Sequence, residues 1–405
     1  MADAEAPSDQ LTMKVPAGIW TLGFVSLLMD VSSEMIHGLL PVYLVSVLGA
    51  SALAVGAIEG VAESTALVTR IFSGAISDWL GKRKLLAALG YGLAAVTKPI
   101  FPLANSLGWV VAARFIDRIG KGIRGAPRDA LIADISPKHL HGASFGLRQT
   151  LDTIGAFLGP GVAVALMLAT HNDFRQVFWW AVIPAVACVL LLLVAVKEPP
   201  ARARPEKVRF PLAPSELKRL GAAFWLVTGV AAVFTLTRFS EAFLVLRARS
   251  FGLDAAYAPL VLVVMNVVYA GAAYPVGALS DRVGRRGVFL TGIGFLIASN
   301  VVLAATPSLW GVAAGLVLWG LHMGFTQGLI SALVADTAPP DLRGTAFGAL
   351  NLVTGIATLA ASLLAGLLWD RIGPPATFAA GGGLAVVSFA GVAFAARTFG
   401  ARPAG

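Results

Sequence analysis

The sequence predicts an all-α polytopic membrane protein: twelve transmembrane helices arranged as two pseudo-symmetric six-helix bundles. Three observations carry this. Hydrophobic residues make up 57% of the 405 residues and charged residues 13%, whereas a soluble domain carries about a quarter charged residues. Twelve apolar stretches can be laid along the chain, and a spanning helix needs about 20 residues, which leaves short loops and no soluble domain. The chain also repeats itself. GAISDWLGKRK, from Gly74 to Lys84, recurs as GALSDRVGRRG from Gly277 to Gly287, 203 residues on (74 to 277). ADISPKHLHGASFG begins at Ala133 and ADTAPPDLRGTAFG at Ala335, an offset of 202 (133 to 335), with Asp134/Asp336, Pro137/Pro339, Gly142/Gly344 and Phe145/Phe347 in register. Two unrelated cassettes at nearly one offset mark a duplicated half, and paired halves in so apolar a chain point to a transporter.

Residues 1–16 read as an acidic cytoplasmic tail without a basic flank or cleavage site, so span 1 (17–48) is expected to be an uncleaved helix. It carries Asp30, Glu34 and His37 within an arc of about 60°. On span 2 (53–77), Glu59, Glu63 and Arg70 share a face. At its end Gly74 should admit a close neighbour, and Asp78 can cap backbone N–H groups and pair with a cation across the bundle interface; Gly277 and Asp281 repeat both features. In span 3 (85–105) Lys98 stands beside Pro99, near the outer end, where it is expected to snorkel to the interface.

Span 4 (108–133) is the extreme case. Arg114, Asp117, Arg118, Lys121, Arg124 and Arg128 fall in one sector of about 120°, five cations against one carboxylate. Span 5 (143–170) adds Arg148 and Asp152, one turn apart. Span 6 (174–196) holds Cys188, the only cysteine, which reads as apolar filler. Residues 197–219, with five prolines between Lys197 and Lys218, resist helix formation and read as a cytoplasmic linker. The C-terminal bundle (220–396) follows with spans at 220–246, 256–279, 287–305, 309–336, 343–369 and 375–396, then a tail at 397–405. It is poorer in charge. Arg238 and Glu241, one turn apart, either neutralise each other or face a substrate; Asn266, Tyr269, His322, Gln327 and Asn351 either contact substrate or bond between helices.

The net charge of +9 is a matter of topology, not a nucleic-acid footprint. Lys82-Arg83-Lys84, Lys138, Arg282, Arg285-Arg286, Arg343 and Arg397 lie on the even-numbered loops or the C-terminus, while the loops at 103–108 and 305–309 carry no charge; the loop at 247–254 carries Arg247 and Arg249. That bias puts both termini in the cytoplasm, and the expected location is a bacterial inner (plasma) membrane. No cofactor and no nucleic-acid partner are expected; the partners are a small-molecule substrate, protons and membrane lipids, and the chain is expected to be a monomer.

Ionisable residues inside spans are costly and normally face a cavity or a partner. Two readings follow: a static charge network holding the first bundle together, or a cavity with a positive wall and titratable carboxylates, suited to an anionic or zwitterionic substrate. Two motif matches fail on context. Gly120-Lys121-Gly122-Ile123-Arg124-Gly125 reads G-x-G-x-x-G but lies inside a span rather than between strand and helix; its glycines are expected to loosen span 4 where backbone faces a cavity. Gly142-Ala143-Ser144-Phe145-Gly146 reads G-x-S-x-G, yet the paired copy has Ala346 at the serine position, so the motif needs no hydroxyl, and no strand precedes it as a hydrolase elbow requires. Asp30, Glu34 and His37 could also form a divalent-metal constellation, although Met29 and Met35 are off that arc and span 4 is cationic.

The paired cassettes match G-x-x-x-D-x-x-G-R-R, the pattern of the loops between helices 2 and 3 and helices 8 and 9 of the major facilitator superfamily, and the resemblance covers essentially the whole chain. Gly146, Gly155, Gly159 and Pro160 resemble the helix 5 antiporter motif of its proton-coupled (drug:H+ antiporter-like) exporters, with Gly161-Val162-Ala163 where a glycine pair usually follows. Arg114 matches the arginine that opens the family's helix 4 motif, linked there to proton movement, with Arg118 at a position usually occupied by glycine. The resemblance implies alternating access and a gating set of Gly74, Asp78, Arg83, Arg114, Asp281 and Arg286, with Gly155, Gly159 and Pro160 bending helix 5 against the other half. The leading expectation is a proton-coupled exporter, with Asp30 and Glu34 as proton acceptors and Glu59, Glu63 and Asp152 behind them. Substrate contacts are expected from His37, Asp117, Arg118, Lys121, Arg124, Arg148, Arg238, Glu241 and Gln327. The alternatives are a proton symporter importing an organic anion, a divalent-metal or metal-chelate transporter, and a scaffold that has lost transport, against which the intact cassettes argue.

Overall fold

The structure, a computed structural model, describes residues 15–137, 140–198, 212–283, 285–339 and 342–394, without the side chains of Asp78, residues 281–286 and several positions of spans 8 and 10. The expected roles of the Asp78, Asp281 and Arg286 side chains therefore lie outside the described residues, as does most of the linker.

Among the described residues the fold is all helical. Span 1 runs as α1 (Ala17–His37) and α2 (Leu40–Ser46), span 2 as α3 (Ala52–Leu80), span 3 as α4 (Arg83–Thr97) and α5 (Ile100–Leu103), and span 4 as α6 (Leu107–Ile135). Spans 5 and 6 are α7 (His141–Ala169) and α8 (Phe174–Ala195). After a one-turn linker helix α9 (Pro214–Leu217), span 7 is split into α10 (Ala222–Leu236) and α11 (Ala242–Arg249). Spans 8 to 12 are α12 (Leu260–Val283), α13 (Arg285–Ala305), α14 (Leu309–Thr337), α15 (Arg343–Arg371) and α16 (Pro374–Phe394).

Ten of these stretches are long and apolar enough to cross a bilayer. Span 4 falls outside that test because of its charged face, and span 7 because its helix breaks at Thr237–Glu241. The ends follow local chemistry. The Ser51 hydroxyl accepts the Ala54 N–H at 3.2 Å to open span 2, and Gly81, at φ 62°, closes it. In the linker, Pro214 sits in the first turn of α9, where proline costs no helical bond.

The helix packing repeats between the halves. Span 1 lies on spans 5 and 6, span 4 on spans 2 and 3, and span 3 on span 6; span 7 lies on 11 and 12, span 10 on 8 and 9, and span 9 on 12. The halves meet where span 2 packs along span 11 and span 5 against span 8. Towards the face opposite the termini, one apolar cluster runs through both halves, with Tyr43, Phe178, Phe243 and Leu246 among its members. At the terminal face there are two separate clusters, one per half, around Leu22 and Tyr91 and around Phe224 and Leu350. The apolar packing thus joins the halves in one cluster at the opposite face, while at the terminal face each half has its own cluster and the halves meet along spans 2 and 11, where a Cβ on Gly348 would lie 3.2 Å from Ile71.

A polar contact adds to that closure. Asp370, at the end of span 11, accepts the backbone N–H groups of Ala52 and Leu53 at 3.0 and 2.8 Å, capping the N-terminus of span 2 from the other half. Replacing an N-cap side chain by alanine costs about 0.5–2 kcal/mol. Asp370→Ala is therefore expected to lower the melting temperature of the purified protein, and an unchanged melt would show the contact to be dispensable.

The glycines of span 4 do not loosen it, contrary to the sequence expectation. The helix is continuous, and a Cβ on Gly120 would lie 2.6 Å from the Gly90 carbonyl oxygen, one on Gly122 2.8 Å from that of Ala66. They let span 4 touch spans 3 and 2 backbone to backbone. A Cβ on Gly74 would meet Ala126 at 3.5 Å, an ordinary contact, and one on Gly277 would meet no described atom within 4 Å.

Candidate functional site

The breaks in spans 1 and 7 fall at matching positions, Gly38–Leu39 and Thr237–Glu241. Between them lies a cavity of about 430 Å3 lined from both halves. The first half contributes Glu34, His37, Glu59, Glu63, Leu67, Arg118, Lys121 and Ala156; the second contributes Thr235, Arg238, Phe239, Ser240, Glu241, Asn266, Trp319, Thr358 and Ser362.

Behind the first-half wall the charges are paired in depth. Arg114 donates to Glu59 at 2.6 Å, both buried. His37 bridges two carboxylates, with Nδ1 3.4 Å from Glu34 and Nε2 3.5 Å from Glu59. Arg118 reaches Glu63 at 3.0 Å and Asp117 at 3.1 Å. Asp117 also accepts from Lys98 at 2.9 Å, and Lys98 donates to Ser33 at 3.0 Å. Nearer the terminal face, Arg124 stacks over Tyr91, 4.7 Å from its ring centre, and stands 4.0 Å from Asp30. Arg128 holds Ser26 and Asp129, and Arg148 pairs with Asp152. Buried ions need such partners because an uncompensated one costs several kcal/mol. The network and the cavity of the two sequence readings coexist here, one behind the other.

A second cavity, of about 360 Å3, lies between spans 5 and 8 and is lined by Asp30, Gln149, Asp152, Phe157, Asn266 and Tyr269 among others. Ala156 and Asn266 line both cavities. Gly155 and Gly159 set this wall. A Cβ on Gly155 would lie 2.8 Å from the Leu27 carbonyl oxygen, and one on Gly159 2.7 Å from that of Val31 and 2.8 Å from Glu34 Cβ. With Pro160 inside a continuous α7, they pack span 5 on span 1 of their own half rather than against the other half, which corrects the sequence expectation.

Several other candidate residues are placed differently from expectation. Lys98 does not snorkel; it is 2% exposed and paired within the bundle. Arg238 and Glu241 form no direct ion pair: span 7 breaks at Thr237–Glu241, and both line the cavity. Asp117 and Arg124 support the wall from behind, Arg148 lies with Asp152, and Gln327 is not among the lining residues of the central cavity. Arg114 sits at Glu59 and His37, inside the network rather than at the loop cassettes. Arg83 does join the cassettes of the first half, donating to Asp134 at 2.5 Å and to the Ala130 carbonyl at 2.9 Å. The metal constellation is divided, since Glu34 and His37 face the central cavity and Asp30 the second one; among the described residues no three His, Cys, Asp or Glu side chains are placed to hold one metal ion. His322 is fully buried, donating from Nδ1 to the Gly292 carbonyl oxygen, 3.1 Å away.

Sequence reasoning missed Thr235, Phe239, Ser240, Trp319, Thr358 and Ser362. Threonine, serine and aromatic residues on apolar helices carry no local mark of a cavity; only the break in span 7 could have been sought, from its alignment with span 1.

Comparison with known proteins gives the same picture. A sequence model of the Major Facilitator Superfamily matches residues 22–247 and 240–404. An uncharacterised MFS-type transporter of Methanocaldococcus jannaschii is 35% identical over 380 residues, covering 91% of this chain and 92% of that one. The quinolone resistance protein NorA of Staphylococcus aureus is 26% identical over 181 residues, 45% of each chain. The crystal structure of a peptide transporter (POT) superposes with a TM-score of 0.79 at 15% identity, covering 95% of both chains, a likeness of fold.

Proposed function

Because the chain belongs to the major facilitator superfamily and is a membrane transporter rather than an enzyme, we propose that it is a proton-coupled exporter of a small polar, anionic or zwitterionic organic compound, working by alternating access. The observation that carries this reading is the central cavity between the halves, where Glu34, Glu59, Glu63 and Glu241 face Arg118, Lys121, Arg238 and His37. The likeness to a quinolone resistance protein supports the outward direction. The protein would sit as a monomer in the plasma membrane with both termini cytoplasmic, the terminal face taking up substrate.

Asp30 and Glu34 are the proton acceptors in this reading. They stand one turn apart on span 1, at the two places where Gly155 and Gly159 of span 5 meet it, and each faces a different cavity. Protonating either removes its attraction to the neighbouring cation, Arg124 or His37, at a helix contact too tight to absorb a shift elsewhere. Glu59, Glu63 and Asp152 are held more closely by arginines and follow as seconds. Arg83, joined to Asp134, belongs to the gate on the terminal side.

Asp30→Asn combined with Glu34→Gln is expected to reduce proton-driven uptake into everted vesicles at least about tenfold, the effect of 1.4 kcal/mol or more. Undiminished uptake would remove both residues from the coupling. In liposomes loaded with a pH dye, internal alkalinisation on substrate entry means exchange against protons, and acidification means symport and overturns the exporter reading.

A further inference from the structure

The cavity-lining charges of the first half are largely spoken for: Glu59 by Arg114, Glu63 by Arg118, Glu34 by His37. Among the described residues, three charged side chains that line the cavity form neither an ion pair nor a hydrogen bond: Lys121 on span 4, and Arg238 and Glu241 at the break in span 7. Arg238 Nε is buried without a partner, and so is the indole N–H of Trp319, on the same wall and 1% exposed. Two cations, one carboxylate and one spare neutral donor are thus left facing one space.

Lys121 is exposed to the cavity and Arg238 and Glu241 are half-buried; a charge without a bonded partner inside a membrane span is costly, and the ligand that fills the space decides which charges gain one. A monoanion would serve Lys121 and Arg238 and leave Glu241 without a bonded partner. A monocation would serve Glu241 and strand both cations. We propose that the substrate is a zwitterion, its anionic group held between Lys121 of one half and Arg238 of the other, with the Trp319 N–H as a further donor, and its cationic group paired with Glu241. This rests on the transporter reading of the same cavity and narrows its substrate class. Charge-assisted bonds of this kind are the strong ones. Phe239 and Trp319 offer apolar surface to a body between the two charged groups. Because Lys121 and Arg238 belong to different halves, a ligand gripped by both favours the state in which the halves close over it, and one gripped by a single half carries no such preference.

The test uses the full chain in lipid nanodiscs and titration calorimetry with three skeletons of different charge separation: phenylalanine, alanyl-phenylalanine and 4-(aminomethyl)benzoic acid. Each is supplied free, as its N-acetyl derivative (an anion) and as its methyl ester (a cation). In at least one set the zwitterion is expected to bind about tenfold or more tightly than both blocked forms, in line with one lost charge-assisted bond. Lys121→Met should erase the advantage over the ester and Glu241→Gln the advantage over the N-acetyl form, while Lys121→Arg keeps both. A melting profile and elution volume like those of the parent chain identify folded variants. Blocked forms that bind as well as the zwitterion in every set, no binding by any of the nine compounds, or variants that leave the preference intact would overturn the inference. A chain that moves protons in exchange for monoanions overturns this inference alone; a chain that moves no solute against protons overturns the exporter reading beneath it.

Discussion

Arg114→Met is expected to destabilise the protein by about 3–5 kcal/mol, the cost of stripping one partner from a buried ion pair, and to abolish transport. Arg114 and Glu59 are 3% and 1% exposed in their side chains and meet at 2.6 Å. Without the guanidinium, Glu59 keeps only His37, at 3.5 Å, and His37 must also serve Glu34. The loss therefore spreads to the carboxylate proposed to carry a proton. The companion variant separates charge from packing. Arg114→Met with Glu59→Met removes both ions together and should recover much of the stability, because well-packed apolar replacements of a buried pair are often neutral, without recovering transport. Unfolding of the purified chain in mixed micelles, followed as a double-mutant cycle, measures the coupling. Single variants that each lose less than about 1 kcal/mol would mean that the pair is not a structural element of the bundle.

The second large effect is expected at Gly159. A Cβ there lands 2.7 Å from a backbone oxygen of span 1 and 2.8 Å from Glu34 Cβ, and backbone cannot step aside as a flexible side chain can. Gly159→Val should push spans 1 and 5 apart at a cost of about 1–3 kcal/mol, shifting span 1 so that His37 moves from Glu59 of span 2 and Asp30 from Arg124 of span 4. Gly161→Ala, two residues further on the same helix, is the internal control, since its Cβ would meet open space and should change little. Transport assayed in vesicles at matched protein amounts distinguishes the two variants; equal activity would detach the contact between spans 1 and 5 from the transport cycle.

The fold was legible because the membrane enforces it. Backbone polar groups in hydrocarbon must be satisfied within the segment, so long apolar stretches become helices. A duplicated cassette then reveals the doubling, as Gly74–Lys84 and Gly277–Gly287 did. The candidate site was legible only in its first half. Asp30, Glu34, Glu59, Glu63, Arg118 and Lys121 stand out because charge inside a span is conspicuous, and span 4 announced itself by crowding five cations on one face. The partners did not stand out. Lys98 looked like an interfacial lysine because its pairing with Asp117 and Ser33 joins it to spans 4 and 1, and no spacing within span 3 encodes that. For Arg238 and Glu241 the spacing left mutual neutralisation and substrate contact both open, because it does not record that span 7 breaks between them.

By itself, the sequence determined the helical class, the number of spans, the two related halves and the presence of ionised groups within the bilayer; each follows from the cost of exposing polar groups to hydrocarbon, which is paid residue by residue along the chain. Only the tertiary structure decided which charge meets which, and hence which are left over. Glu59 belongs to Arg114 and His37, Asp117 to Lys98 and Arg118, and Lys121, Arg238 and Glu241 line the cavity without a bonded partner among the described residues. Those assignments depend on helix crossings set by close contacts such as Gly120 on Gly90 and Gly159 on Val31, and distances between residues far apart in the chain are a property of packing, which no local pattern records.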